Sequence, residues 1–275
     1  MNTELDFSRI ILYILLIALA ALFLIPVYGM VITSFRSIDG IMQHGVWSVP
    51  RDVSLQAFSK AWSDAGLHRT IPNTFIITIP AVFGSIFVSA LGAYALARLR
   101  FRGSFFLFVF LIAGLFFPPQ VALFPLFKLF SNLTLCDTYL AQILTHIAWG
   151  IPVCTMVLRN FFSSIPYSIQ EQARIDGCSH VRIFFQIILP LSKPALSALT
   201  ILQFTWIWNK FLWGLVLSDQ RATPVMVSLN NLQGRYQIQW NVQAAGTLLA
   251  SLPVIIVFFA FQRYFIKGLL MGSTK

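Results

Sequence analysis

The chain has 275 residues, of which 57% are hydrophobic and only 10% charged, against about 25% charged in a soluble domain. So little polar surface cannot cover a water-soluble globule of this size, which excludes a soluble enzyme, a disordered protein and a nucleic-acid-binding domain. The formal charge of +10 is then read as Lys and Arg gathered in the cytoplasmic loops of a membrane protein.

A bilayer-spanning helix needs about 20 apolar residues. Six stretches qualify, in chain order Ile10 to Thr33, Thr74 to Ala97, Phe105 to Phe127, Ala141 to Leu158, Ala195 to Leu217 and Ala244 to Phe261. The first is too long for a signal-peptide core and lacks a small-x-small cleavage site, so it reads as a retained span. Six spans put both termini on one side. With that side cytoplasmic, eleven Lys and Arg lie inside, seven outside, and Lys210 within the fifth span. The positive-inside rule then gives N-in and C-in. Cys136, Cys154 and Cys178 fall in an outer loop, a span and an inner loop, with no disulfide framework or metal spacing.

The second span carries small residues every four positions: Ala81, Ser85, Ser89, Ala93 and Ala97. They share one helix face and invite close approach by another helix. Pro80, Pro118, Pro119, Pro125, Pro152 and Pro253 favour kinks or breaks in or near the spans. No Asp or Glu lies within a span, so there is no carboxylate relay for proton or sodium coupling. His146 and Lys210 are the intramembrane ionisable candidates. His146 suits helix packing; Lys210 suits snorkelling to the outer interface or contact with a substrate.

The longest inner loop runs from about Asn160 to Lys193. Ser168 with Glu171 fits a capping box opening one short helix, and Gly177 suits the left-handed position closing it. Ser179 caps a second helix, with Val181, Phe184, Phe185 and Ile188 at helical spacing and Pro190 ending it. Such structure between spans reads as a docking element for a partner or a helix lying on lipid.

At these residues the chain resembles the EAA loop of permease subunits in bacterial ATP-binding-cassette importers. That pattern runs roughly E-A-A, three residues, Gly, about nine residues, then I-x-L-P. Glu171, Ala173, Asp176, Gly177, Ile187, Leu189 and Pro190 match it, while Gln172 and Cys178 depart from it. Ala93 to Gly103, Trp208-Asn209 with Phe211 to Trp213, and Gln262 to Phe265 with Gly268 resemble the sugar-importing, maltose-permease-like branch.

The resemblance implies an all-α membrane protein: six transmembrane helices in the type I importer permease fold, one domain over 1–275, with a cytoplasmic coupling loop at 160–193. It implies a multi-pass protein of the bacterial inner membrane. It implies a second permease subunit as heterodimer partner, two ATP-binding-cassette ATPase subunits and an extracytoplasmic sugar-binding protein. It makes Glu171, Ala173, Asp176, Gly177, Leu189 and Pro190 the residues that couple to the ATPase, although Glu171 also reads as a cap alone.

No G-x-x-x-x-G-K-[ST] phosphate loop occurs; Gly272 to Lys275 has the wrong order. No catalytic or metal-binding signature stands out either. No cofactor is expected in this chain, with ATP and magnesium on the ATPase partners. Gln203, Trp206 and Asn209 are successive neighbours on the fifth span, where rings stack on sugars and amides bind hydroxyls. They are the candidate pathway for a neutral sugar or glycoside, with Trp213 further out as an interface marker. The alternative is a stand-alone secondary transporter or channel for a small polar solute.

Overall fold

The computed structural model describes residues 7–45, 48, 53–99, 101–232 and 239–271, with backbone only at 7, 8 and 263–271. Arg51, Arg100, Arg235 and Lys275, four of the charges used to orient the chain, lie outside the described residues, as does the Gly272 to Lys275 string. The helices are α1 (Phe7–Ser34), α2 (Ile38–His44), α3 (Gln56–Ser63), α4 (Leu67–Arg98), α5 (Ser104–Ala113), α6 (Pro119–Asn132) and α7 (Tyr139–Ser164). Then follow α8 (Tyr167–Ile175), α9 (His180–Ile183), α10 (Leu189–Leu191), α11 (Lys193–Trp208), α12 (Leu212–Leu217), α13 (Val225–Asn231) and α14 (Trp240–Met271). The described residues contain no strand.

Among the described residues, four helices are long and apolar enough to cross a membrane: Arg9–Ser34, Leu67–Arg98, Tyr139–Ser164 and Trp240–Gln262. The count reaches six only if each of two bent pairs is one span. Ser104–Phe116 meets Pro119–Asn132 at 98°, so the expected third span is not one straight helix. Pro119 forces the preceding residue out of the helical region. Pro118 accordingly sits at φ −64° and ψ 129°, and Pro119 opens α6.

The expected fifth span, Ala195 to Leu217, is also interrupted. α11 stops at Trp208, and α12 begins at Leu212. The Asn209 amide donates to the Thr205 carbonyl at 2.9 Å, the same oxygen its backbone N–H reaches at 3.2 Å. A side chain competing for a helical carbonyl favours a terminus. Lys210 therefore sits in a break between helices rather than inside one.

The chain divides into two compact units: Met1–His68 with Ser228–Ser251, and Arg69–Val227 with Leu252–Lys275. In the first, Arg36 is buried. It donates 2.6 Å bonds to the carbonyls of Gly40 and Gly45 and so holds the end of α2. The sequence places it among the outer-loop charges; in the fold it is a structural group.

In the second unit the small-residue stripe packs α4 on α7. Ala81, Ser85, Ser89 and Ala93 are buried. Ser89 Oγ donates to the Ile151 carbonyl at 3.2 Å. A Cβ on Gly150 would lie 2.7 Å from Ser85 Cβ, so the backbones approach as closely as small residues permit.

The loop after α12 is held by Asp137. This carboxylate accepts backbone N–H bonds from Asp219, Gln220, Arg221 and Ala222 at 2.9–3.3 Å. Burial raises its pKa, but the four amides outweigh that and leave it below the ordinary value. A depressed carboxylate contributes stability that is fully present above its unfolded pKa of about 3.9 and lost as pH falls through the folded value below it. Asp137→Asn is expected to weaken hydrogen-exchange protection of amides 219–222 at neutral pH by about 1–3 kcal/mol, the scale of charge-assisted bonds. Unchanged protection would show that the carboxylate is not the restraint.

Candidate functional site

Two features carry the functional argument: the α8–α9 loop and a tryptophan-lined cavity.

α8 opens at Tyr167 with Pro166 as N-cap and no side-chain cap bond. The expected Ser168–Glu171 capping box is therefore not formed, because Pro166 at ψ 133° already sets the entry one residue earlier. The closure is as expected. Gly177 has φ +78°. Its N–H bonds the Arg174 carbonyl, and the Cys178 N–H bonds the Ala173 carbonyl. These are the two bonds of a Schellman turn, which places glycine in the left-handed position. Ser179 caps α9 through the Arg182 N–H.

The expected second helix differs in its later half. Phe184–Ile188 is a π-helical turn, and helix continues through Pro190 to Leu191. A proline ring displaces the carbonyl four residues back, and a widened turn accommodates it. Pro190 thus does not end the helix; the chain bends at Ser192. Ile183, Phe184 and Ile188 are buried, whereas Val181 and Phe185 are exposed, so the expected apolar face is corrected at those two positions.

Of the coupling candidates, Glu171, Asp176, Gly177 and Pro190 are exposed. Ala173 is buried in the core formed with Leu158, Phe162 and Ile188, and Leu189 packs against the same cluster. Ala173 is therefore a packing residue of the loop, and Leu189 is half-buried beside it. The outward face of α8 adds Ile175, which is 85% exposed and stands four residues from Glu171, on the same side of the helix.

Other residues anchor the loop. Arg98 is 5% exposed. Its Nη2 donates to the carbonyls of Phe162 and Ile165, the last turn and C-cap of α7. Its guanidinium carbon lies 5.8 Å from the centroid of the Tyr167 ring. Tyr94 Oη is 3.3 Å from His180 Nδ1, and Arg174 Nη2 is 3.2 Å from His180 Nε2. Arginine only donates, so Nε2 accepts and Nδ1–H faces the tyrosine oxygen. Sequence reading placed Arg98 among the loop charges; its position at the last turn of an apolar helix was the available signal.

The cavity has a volume of about 340 Å³ and is lined by His146, Trp149, Gln203, Trp206, Lys210 and Trp213 among others. Gln203 is buried, with Nε2 3.1 Å from Cys154 Sγ. Trp149 and Trp213 pack with centroids 5.2 Å apart. Trp213 is fully buried, so it is not an interface marker. The structure brings Gln203 and Trp206 together in this wall. Asn209 is not part of it; its amide is spent on closing α11.

The model of the family described as "Binding-protein-dependent transport system inner membrane component" matches residues 85–270. The chain belongs to this family. It is an inner-membrane transport permease, and its role is transport rather than catalysis. It is 34% identical to the probable ABC transporter permease protein YurM of Bacillus subtilis, over 97% of this chain and 87% of that protein. It is 36% identical to the arabinooligosaccharides transport system permease protein AraQ of Halalkalibacterium halodurans, over 94% and 93%. The crystal structure of a bacterial ABC transporter involved in the import of alginate, an acidic polysaccharide, matches with TM-score 0.79 and 26% identity, covering 96% of this chain and 99% of that one. The permease therefore has the all-helical fold of ABC importer permeases, and it acts as the membrane permease of an ATP-driven importer.

Proposed function

We propose that this permease couples ATP hydrolysis on two ATP-binding-cassette subunits to import of a neutral sugar or glycoside. A second permease completes the pathway, and an extracytoplasmic binding protein delivers the substrate. ATP and magnesium act on the ATPase partners. The chain is one permease domain with both termini cytoplasmic, so that the α8–α9 loop faces the ATPase. The observation that carries the coupling role is the outward face of α8, with Glu171 and Ile175 exposed and the helix closed by a left-handed Gly177. An 85% exposed isoleucine beside a carboxylate suits a partner's cleft better than water. Movement of the ATPase then rocks the spans as rigid bodies.

The sugar reading draws on relatives named for arabinooligosaccharides, alpha-glucosides and diacetylchitobiose, and on the tryptophans and Gln203 in the cavity wall. Lys210 in the same wall favours a second reading, an acidic glycoside, because an ammonium pairs with a carboxylate. In the reconstituted transporter, Trp206→Ala is expected to raise the half-saturating sugar concentration about three- to tenfold, the scale of one lost aromatic contact. Lys210→Gln should spare neutral glycosides; selective loss of uronate uptake would establish the acidic reading. Unchanged uptake in Trp206→Ala would remove the cavity from the pathway.

A further inference from the structure

We propose that the cavity beside the α4–α5 turn binds the phosphate of an anionic lipid headgroup. This cavity has a volume of about 620 Å³ and is lined by Leu96, Arg98, Phe101, Arg102, Ser104 and Tyr167 among others. Among the described residues, no carboxylate contributes to its wall.

Arg98 is more than nine-tenths buried. Its Nη2 serves the Phe162 and Ile165 carbonyls, while Nε has no acceptor among the described residues. A buried guanidinium with donors left over lacks an acceptor. Arg102 supplies a second, exposed cation. Ser104 adds a hydroxyl at the first turn of α5, which has no side-chain cap, so its leading amides are also free of helical partners. Two arginines and a serine in one wall, with no acid among its described residues, match a phosphate oxyanion.

The surroundings favour a lipid over a soluble phosphate. Arg98 is the last residue of the apolar helix Leu67–Arg98, which sets the cavity at the level where headgroups lie. Basic pockets at that depth bind anionic headgroups. α5 leaves from the same cavity with no buried residue, and Phe105, Phe106 and Phe110 are exposed along it, a surface for acyl chains. The headgroup would touch the guanidinium that holds α7 to α8, so anionic lipid would stabilise the coupling loop.

The test uses the complete transporter, delipidated in mild detergent and titrated with dioleoylphosphatidylglycerol or dioleoylphosphatidylcholine, with bound lipid read by native mass spectrometry. Phosphatidylglycerol is expected to be retained preferentially. Arg102→Gln combined with Ser104→Ala should weaken that retention at least about fivefold, the effect of one basic group at a membrane surface. Inorganic phosphate at millimolar concentration should not displace the lipid. Equal retention of the two lipids, or unchanged retention in the variant, would overturn the proposal. Displacement by inorganic phosphate would overturn the lipid assignment in favour of a soluble anion. A cross-link from a cysteine at position 102 to an acidic segment of a partner subunit, with no lipid retained, would overturn it in favour of a protein contact.

Discussion

Gly177→Asp is expected to abolish coupled transport while leaving the permease in the membrane. Gly177 has φ +78°, and among the described residues beyond its two chain neighbours no atom lies within 4 Å of the Cβ it lacks. Within the chain, a side chain there meets only backbone strain of about 1–2 kcal/mol. If the ATPase docks on this turn, aspartate also buries an unpaired carboxylate in the interface. That costs about 1–3 kcal/mol more, a weakening of about fivefold to 150-fold. Gly177→Asn separates charge from side-chain bulk, because asparagine and aspartate share a tolerance of the left-handed region. Both variants should lose ATPase co-purification or stimulated hydrolysis. Wild-type coupling in Gly177→Asn would reduce the glycine to a helix cap.

Arg98→Ala should be the most destabilising single change at the loop. It removes the donors that serve the Phe162 and Ile165 carbonyls and the cation beside Tyr167. Bonds from a charged donor are worth about 1.5–3 kcal/mol each, so losing the two is expected to cost about 3–6 kcal/mol. Arg98→Lys keeps the charge and the donors but loses the planar guanidinium beside the Tyr167 ring. It should be intermediate in thermal unfolding of the purified transporter. Its ratio of transported sugar to hydrolysed ATP should fall as well, since α8 would no longer be fixed to α7. Stability and ratio both unchanged in Arg98→Ala would remove Arg98 from the account.

Patterns confined to one helix were legible in the sequence. The stripe from Ala81 to Ala97 needed only four-residue spacing, and Gly177 and Ser179 followed from local turn and cap chemistry. The two short helices between Tyr167 and Leu191 were legible for the same reason. What failed depended on neighbours. Ser168 and Glu171 had the right spacing for a capping box, but Pro166 fixed the helix start first. Pro118 and Pro119 announced a break without its 98° angle, which packing sets. Asn209 looked like a pathway amide because nothing in its spacing shows that it turns back on Thr205. Arg36 and Arg98 read as solvated loop charges because their carbonyl partners come from chain folding back on them.

α8 has no side-chain capping bond at its start, and Glu171 is exposed there together with Ile175.

The most direct measurement is energy dependence in proteoliposomes containing the permease co-expressed with its second permease and ATPase subunits. Uptake of a labelled glycoside should require ATP inside the accessible compartment and the binding protein outside, and Glu171→Gln should depress it together with stimulated hydrolysis. Uptake by the permease alone, driven by a proton or sodium gradient and indifferent to ATP, would contradict the account.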